Sequence, residues 1–104
     1  MRGEVWEIAG AVPAGAARIV VVQHDALADA PTVVGLLVTD RPQTAGPPLT
    51  IALEPGEGGV ERATWVKTTQ VHTVAAADAR RRLGRLSPAR MVEVDSALAE
   101  VLAL

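Results

Sequence analysis

The fold of this chain is set by the stretch Arg18-Ile19-Val20-Val21-Val22-Gln23-His24-Asp25, where four β-branched residues lie between an arginine and a polar turn. A continuous β-branched run is typical of a strand that is buried on both faces. Residues 33–39 have the same character and also end in a polar cluster. Shorter apolar runs predict further strands at residues 5–8 and 49–53, and one or two more strands at residues 63–69 and 71–74.

Proline and glycine separate these runs and predict the loops between them. Residues 9–17 and 41–48 hold several of them among small residues, and residues 54–59 are a glycine-rich hairpin loop. The last third of the chain is different. Residues 75–83 are rich in alanine and arginine, which favours a short helix stopped by Gly84.

A second helix is predicted at the C-terminal end. Ser87 is a suitable N-cap, and Pro88 follows at the first helical position. Apolar residues then recur at helical spacing and form one stripe: Met91, Val94, Leu98, Val101 and Leu102. Strands followed by helices indicate an α+β domain, and the simplest form is a small twisted β-barrel of about five to seven strands capped by the C-terminal helix.

The composition restricts the class of protein. A chain of 104 residues fits one domain over residues 1–104, and it is long enough to bury a core. It has no cysteine, so disulfides and thiolate metal ligands are excluded, and its two histidines are too few for a histidine-based zinc site without carboxylate help. No metal or other cofactor is therefore expected.

Charge and hydropathy limit the partners and the location. The net charge of −2 argues against binding nucleic acid by bulk electrostatics, although a local basic site is allowed. Without phenylalanine or tyrosine, aromatic platforms for bases are limited to Trp6 and Trp65. No apolar run approaches a membrane span and the first residues lack a signal-peptide pattern, so a cytoplasmic protein without membrane contact is expected.

The order and spacing of several short motifs resemble the MazF/PemK/Kid family of toxin endoribonucleases. The resemblance covers the whole chain, although no single motif is specific. The motifs are Arg2-Gly3-Glu4-Val5-Trp6, the Arg18 stretch, Val38-Thr39-Asp40, Gln70-Val71-His72-Thr73-Val74 and the turn from Leu83 to Leu86, followed by the C-terminal helix.

The resemblance implies an SH3-like barrel, a homodimer and a cognate MazE-like antitoxin. It also implies metal-independent, sequence-selective cleavage of single-stranded RNA. In that reaction the ribose 2′-OH attacks the neighbouring phosphorus and leaves a 2′,3′-cyclic phosphate and a 5′-OH. The nucleophile comes from the substrate, so no serine, cysteine or metal site is required.

Two residues are catalytic candidates through the resemblance. Arg18 stands where the family has an arginine that acts on the scissile phosphate, and Ile19 replaces the proline that usually follows. A guanidinium suits phosphate because its planar fork matches the oxygens and stays charged. Thr39 stands where a hydroxyl donates to a phosphate oxygen. The alternatives are an arginine held in a surface ion pair and an ordinary strand threonine.

A further group lies around residues 67–73. The acid that related toxins carry before Gln70 is replaced by Thr69, while Lys67 and His72 stand where arginines are common. Thr69 cannot act as a carboxylate base, but His72 has a suitable ordinary pKa for acid–base chemistry. Lys67 and His72 are equally well explained as exposed strand residues, and Gln70 as a structural hydrogen-bonding residue.

Other sites are weaker. Arg41 is a loop residue that could touch the RNA backbone. The three arginines at residues 80–82 are predicted to form a solvated helix face, with RNA or dimer contact as the alternative. His24 and Asp25 are interpreted as a turn in which the aspartate caps backbone N–H groups, since neither serine of the chain lies in a nucleophile-elbow pattern.

Two functional alternatives remain open. One is a CcdB-like gyrase poison on the same barrel, although the chain ends in Val101-Leu102-Ala103-Leu104 and lacks the expected Trp-Gly-Ile tail. The other is a degenerate toxin that only dimerises and binds an antitoxin. Thr69 and Ile19 favour this second alternative, whereas the presence of both Arg18 and Thr39 opposes it.

Overall fold

The computed structural model describes residues 1–9 and 18–104, and it contains one sheet and one long helix. The strands are β1 (Glu4–Ile8), β2 (Arg18–Val21), β3 (Thr32–Thr39), β4 (Thr50–Leu53), β5 (Thr64–Ala75) and β6 (Ala79–Arg85), and the helix is α1 (Pro88–Leu102). Except for Ala9, the loop predicted at residues 9–17 lies outside the described residues. The loop predicted at residues 41–48 contains neither helix nor strand, as expected.

The six strands form a single antiparallel sheet in the order β4-β5-β3-β2-β1-β6. The predicted α+β class is therefore confirmed. Within the described residues the edge strands β4 and β6 do not pair with each other, so the sheet curls without closing and "barrel" is a loose description.

The core lies on the inner face of this sheet. Cross-strand neighbours Val5, Val20 and Leu36 are fully buried, and Val38 and Val66 continue the layer on the next row. The helix α1 covers the layer with Val94 and Ala97, while Met91 and Leu98 pack at its margin. Met91, Val94 and Leu98 belong to the predicted stripe, so this side of the C-terminal helix packs as the sequence predicts. Ala97 was not part of that stripe, and Leu102, which was, is half exposed.

The prediction of a helix at residues 75–83 is wrong. The segment contains the end of β5, a short 3-10 helix (Ala76–Asp78) and most of β6, which pairs with β1. Alanine and arginine favour helices by a few tenths of a kcal/mol per residue, and tertiary pairing easily overrides that preference. Here the pairing supplies backbone hydrogen bonds to β1 and two ion pairs, Arg81 with Glu7 and Arg82 with Glu4.

The runs predicted at residues 63–69 and 71–74 form one strand with a bulge. Leu36 pairs with Val71 and the next residue, Leu37, pairs with Lys67, which leaves residues 68–70 without partners on β3. The first of the three, Thr68, is fully buried, and its hydroxyl donates to the Pro48 carbonyl at 2.5 Å. The bulge therefore anchors the loop that precedes β4.

The predicted turn at His24 and Asp25 is present as a 3-10 helix (Asp25–Leu27), but its cap differs from the expectation. The N-cap is His24, whose Nδ1 accepts a hydrogen bond from the Ala26 N–H at 2.9 Å. Asp25 instead accepts from the Arg2 N–H at 2.8 Å and so ties the N-terminal residues to the turn. Both side chains have structural roles here.

The start of α1 is fixed by its cap and by an ion pair to the loop after β4. Ser87 Oγ accepts from the Arg90 N–H at 3.1 Å, and Pro88 occupies the first turn, as predicted. The guanidinium of Arg90 donates to both carboxylate oxygens of Glu57, at 3.0 and 2.9 Å. This bidentate bond lowers the pKa of Glu57 below its ordinary value of 4.5 and raises that of Arg90.

Replacing Glu57 by glutamine should therefore destabilise the protein in a pH-dependent way. A carboxylate with a lowered folded-state pKa contributes stability above its ordinary pKa and loses it as the pH falls through the folded-state value. We expect the variant to lose about 1–2 kcal/mol of unfolding free energy at pH 7 and the gap to wild type to narrow below the ordinary value of 4.5. Urea unfolding at pH 7 and at acid pH measures both.

The matched control is Glu100→Gln, because Glu100 makes no ion pair within the described part of the chain. A Glu57→Gln loss that stays the same at every pH would contradict the assignment.

The turn after β4 lies directly on β6. Gly59 has φ +78°, and a Cβ at this residue would come within 1.9 Å of the Leu83 carbonyl oxygen. On the facing side, a Cβ at Gly84 would lie 2.7 Å from the backbone of Gly58. The two backbones therefore approach so closely that only glycine fits on both sides. Gly84 thus allows close packing instead of stopping a helix.

Candidate active site

Three charged side chains form one row across β6, β1 and β2. Glu7 pairs with Arg18 on β2 and with Arg81 on β6, so the three residues lie side by side on the same face of the sheet. Arg81 Nε donates to Glu7 Oε1 at 3.0 Å. Arg18, the first residue of β2, therefore lies next to the carboxylate of Glu7, which Arg81 already orients.

This row opens into a polar cleft of about 490 Å³. Its charged lining consists of three acidic and three basic residues, Glu7, Asp40, Glu61, Arg18, Arg62 and Arg81. Backbone and apolar atoms of residues 59–60 and Leu83 complete the wall. The cleft therefore holds three guanidinium groups, but three carboxylates balance them, so it is strongly polar and is not the local basic site that the net charge allowed.

Thr39 ends β3 at the same end of the sheet. Ile19 pairs with Leu37, so Arg18 and Thr39 lie beyond that pair on adjacent strands. Thr39 Oγ1 accepts a hydrogen bond from the Arg41 N–H at 3.1 Å, which leaves its own O–H free to donate. The neighbouring Asp40 lines the cleft, and the cross-strand partner of Thr39 is the half-buried Trp65.

The other predicted site residues lie on β5, away from the lining of this cleft. Lys67 is half-buried between Leu37 and Thr50, and Gln70 is exposed in the bulge. His72 pairs with Gly35, and its Nε2 is shielded from solvent without a hydrogen-bond partner in the described residues. The structure thus places Arg18 in the cleft with Asp40, the residue after β3, whereas Thr39 lies outside the lining and alternates to the opposite face of the sheet. Lys67, Gln70 and His72 are also outside the cleft.

Two charged residues of the cleft, Glu7 and Arg81, were not predicted from the sequence. Arg81 was expected on a solvated helix face, yet it lies on β6 and enters the cleft, while Arg82 pairs with Glu4 on the other face. Burial acts to raise the pKa of Glu4, but hydrogen bonds from the N-terminal amino group and Trp6, with the charge of Arg82, lower it overall. Glu7 could have been found, because it is a charged residue between the apolar Trp6 and Ile8 in a predicted strand.

No helix in residues 1–9 and 18–104 has the length and apolar content needed to cross a membrane. The same residues contain no group of three or more histidine, cysteine, aspartate or glutamate side chains that could hold a metal ion.

The chain therefore folds into a small antiparallel sheet with one C-terminal helix, and an arginine-containing cleft lies at the ends of its strands. A family model described as PemK-like, MazF-like toxin of type II toxin–antitoxin system matches residues 1–102. The chain belongs to this family, which confirms the resemblance of its motifs.

Solved structures support the same conclusion. An endoribonuclease in complex with its cognate antitoxin, from a mycobacterial species, is 25% identical, with a TM-score of 0.83 over 100% of this chain and 95% of that one. A second mycobacterial endoribonuclease is 24% identical, with a TM-score of 0.81 over 100% and 91%. A MazE–MazF crystal structure from Deinococcus radiodurans, 17% identical, gives 0.71 over 98% and 94% and shows the fold. No curated protein sequence matches the chain.

Proposed function

We propose that this protein is the toxin of a toxin–antitoxin pair and acts as a sequence-selective endoribonuclease on single-stranded RNA. The reaction is metal-independent attack of the ribose 2′-OH on the adjacent phosphorus, and it yields a 2′,3′-cyclic phosphate and a 5′-OH. The observation that carries the proposal is the cleft that contains Arg18 in a chain of the MazF-like family.

Arg18 is the residue that acts on the scissile phosphate. It is the first residue of a buried strand, so its backbone is fixed while its side chain reaches into the open cleft. Phosphoryl transfer depends mainly on orientation and on stabilising the charge of the phosphorane, which a guanidinium provides through two parallel hydrogen bonds.

Thr39 supplies the second contact. The Arg41 N–H fixes the hydroxyl oxygen, so the free O–H can donate to a phosphate oxygen without first reorganising. Trp65, the cross-strand partner of Thr39, offers a flat ring on the same face as Thr39, on which an unstacked base can pack. Arg41, in the loop after β3, remains an RNA-backbone contact in this proposal.

The partners follow from the same family. The mycobacterial relative binds a cognate antitoxin, and we extend a MazE-like antitoxin, a homodimer and a cytoplasmic location to this protein. The homodimer is tested by light scattering, where the mass should be twice the 10.8 kDa of one chain. A monomer at micromolar concentration would contradict it.

The function is tested by incubating the purified wild-type protein with a mixed single-stranded RNA in the presence of EDTA. Mapping the product ends by sequencing and by phosphatase sensitivity should show 2′,3′-cyclic phosphates and 5′-OH groups at a short recurring sequence. Cleavage that disappears in EDTA would contradict the metal-independent reaction.

A protein that is folded and binds antitoxin but leaves every RNA intact would instead be the degenerate toxin. One observation favours that alternative: residue 69 is an exposed threonine in the bulge of β5, so the carboxylate implied there by the resemblance is absent.

A further inference from the structure

Cleavage by 2′-OH attack requires a group that removes the hydroxyl proton, and the cleft offers carboxylates but no histidine. We propose that Glu7 is this general base, an inference that rests on the proposed ribonuclease function. Arg18 and Glu7 would then act as a pair, the first on the phosphate and the second on the neighbouring 2′-OH.

The geometry favours Glu7 through its position and its free oxygen. It is the direct cross-strand partner of Arg18, and residues paired in this way have Cβ atoms about 5 Å apart. That separation suits a phosphate and the 2′-OH attached to the same ribose. Oε1 accepts from Arg81, whereas Oε2 has no partner within the described residues, and the side chain is 37% exposed. An oriented carboxylate with one free, accessible oxygen is available to accept a proton.

The two other carboxylates of the cleft are held less firmly. Asp40 and Glu61 are both exposed and lie outside the strands, whereas Glu7 belongs to β1 and is flanked by strands on both sides. Groups on regular elements are positioned more exactly than groups on loops. The charged groups that line the cleft with Glu7 are Arg18 from β2, Arg81 from β6, Asp40 from the loop after β3, and Glu61 and Arg62 from the loop before β5.

The reaction step balances without a further reactant. The 2′-O–H bond breaks and its proton passes to Glu7 Oε2, while the freed oxygen forms a bond to phosphorus. The phosphorus–O5′ bond then breaks, and the departing oxygen takes a proton from water. Glu7 finally releases its proton to solvent, so the carboxylate is restored and no net proton is consumed.

The test is the variant Glu7→Gln, which keeps the size of the side chain and a carbonyl that accepts from Arg81. We expect kcat to fall about 10²–10⁴-fold with little change in KM, because general base catalysis contributes on this scale. For the wild type, log kcat should rise with pH on the acid side and then level off as the carboxylate loses its proton. This acid limb should be absent from the variant.

Two further variants separate catalysis from positioning. If Glu7 acted only by holding Arg81, then Arg81→Gln would lose as much activity as Glu7→Gln. We expect Arg81→Gln to lose less activity and to keep the acid limb of the pH profile. Glu7→Ala should recover activity when formate is added, because a small carboxylate can occupy the vacated space. Glu100→Gln, in α1, serves as the control for a distant charge change.

The outcomes that overturn the proposal are distinct from a failure of the proposed function. A Glu7→Gln protein with the wild-type rate and pH profile excludes Glu7 as the base while the ribonuclease function stands. An acid limb lost in Asp40→Asn or Glu61→Gln instead reassigns the base. If the folded wild-type protein cleaves no RNA under any condition, both the function and the role of Glu7 are overturned.

Discussion

Arg18→Ala is expected to lower the rate of RNA cleavage by about 10³-fold or more, since arginines that stabilise phosphoryl-transfer transition states contribute on this scale. The reason is the loss of the only charged side chain that β2 places in the cleft. The fold should survive, because the apolar residues of β2 that follow Arg18 form the buried layer. Single-turnover cleavage of one short RNA measures the effect, and circular dichroism verifies the fold.

Three comparisons make this result specific. Arg62→Ala removes another cleft arginine that lies outside the strands, and it should reduce the rate less than about tenfold, as expected for a peripheral phosphate contact. Arg18→Lys retains the charge but not the fork, so it should recover only part of the rate. Thr39→Val, which removes one hydrogen-bond donor, should cost about 10²-fold.

Equal losses in Arg18→Ala and Arg62→Ala would show that the cleft acts through overall charge. Full activity of Arg18→Ala would remove Arg18 from the catalytic site altogether.

Gly59→Ala is expected to have the largest effect on stability, about 4 kcal/mol or more of the unfolding free energy. The new Cβ would meet the Leu83 carbonyl oxygen at 1.9 Å, and backbone atoms cannot turn aside as a flexible side chain can. The turn after β4 would have to leave β6, and the left-handed φ of +78° adds its own strain. Urea unfolding, or loss of soluble protein on expression, measures the effect.

Two other glycines provide a graded control. Gly56 also has a positive φ, +92°, but a Cβ there meets nothing within 4 Å, so its alanine variant should lose about 1–2 kcal/mol from strain alone. A Cβ at Gly46 is equally free of contacts, and its variant should stay within about 1 kcal/mol of wild type. If Gly59→Ala and Gly56→Ala behaved alike, the close approach to Leu83 would not limit the fold.

The strands and α1 were predictable because their signals are local. The β-branched run from Ile19 onwards needs no knowledge of its neighbours, and the Ser87-Pro88 cap describes its own helix. The segment around Arg80–Arg82 was not predictable in this way. Its composition favours a helix, and only its pairing with β1, more than 70 residues earlier in the numbering, makes it a strand.

The candidate site divides in the same manner. Arg18 and Thr39 could be chosen through the resemblance of motif order to the family, since Arg18 begins one recognisable strand and Thr39 ends another. Glu7 and Arg81 acquire their place in the cleft only from the register of three strands, which no short motif encodes. The positions of Lys67 and His72 were unpredictable for a similar reason. Residues 68–70 have no partners on β3, and this bulge changes which β3 residues lie opposite Lys67 and His72.

The pairing of β1 with β6 also determines when the cleft can form during synthesis of the chain. Contacts between distant segments close late and slow the folding of β-rich domains, in contrast to local contacts. A chain still on the ribosome that has not reached residue 79 has β1 without one of its neighbours, and Glu7 without Arg81. The cleft can therefore be assembled only after β6 has been synthesised, so a product truncated before β6 cannot carry a finished site.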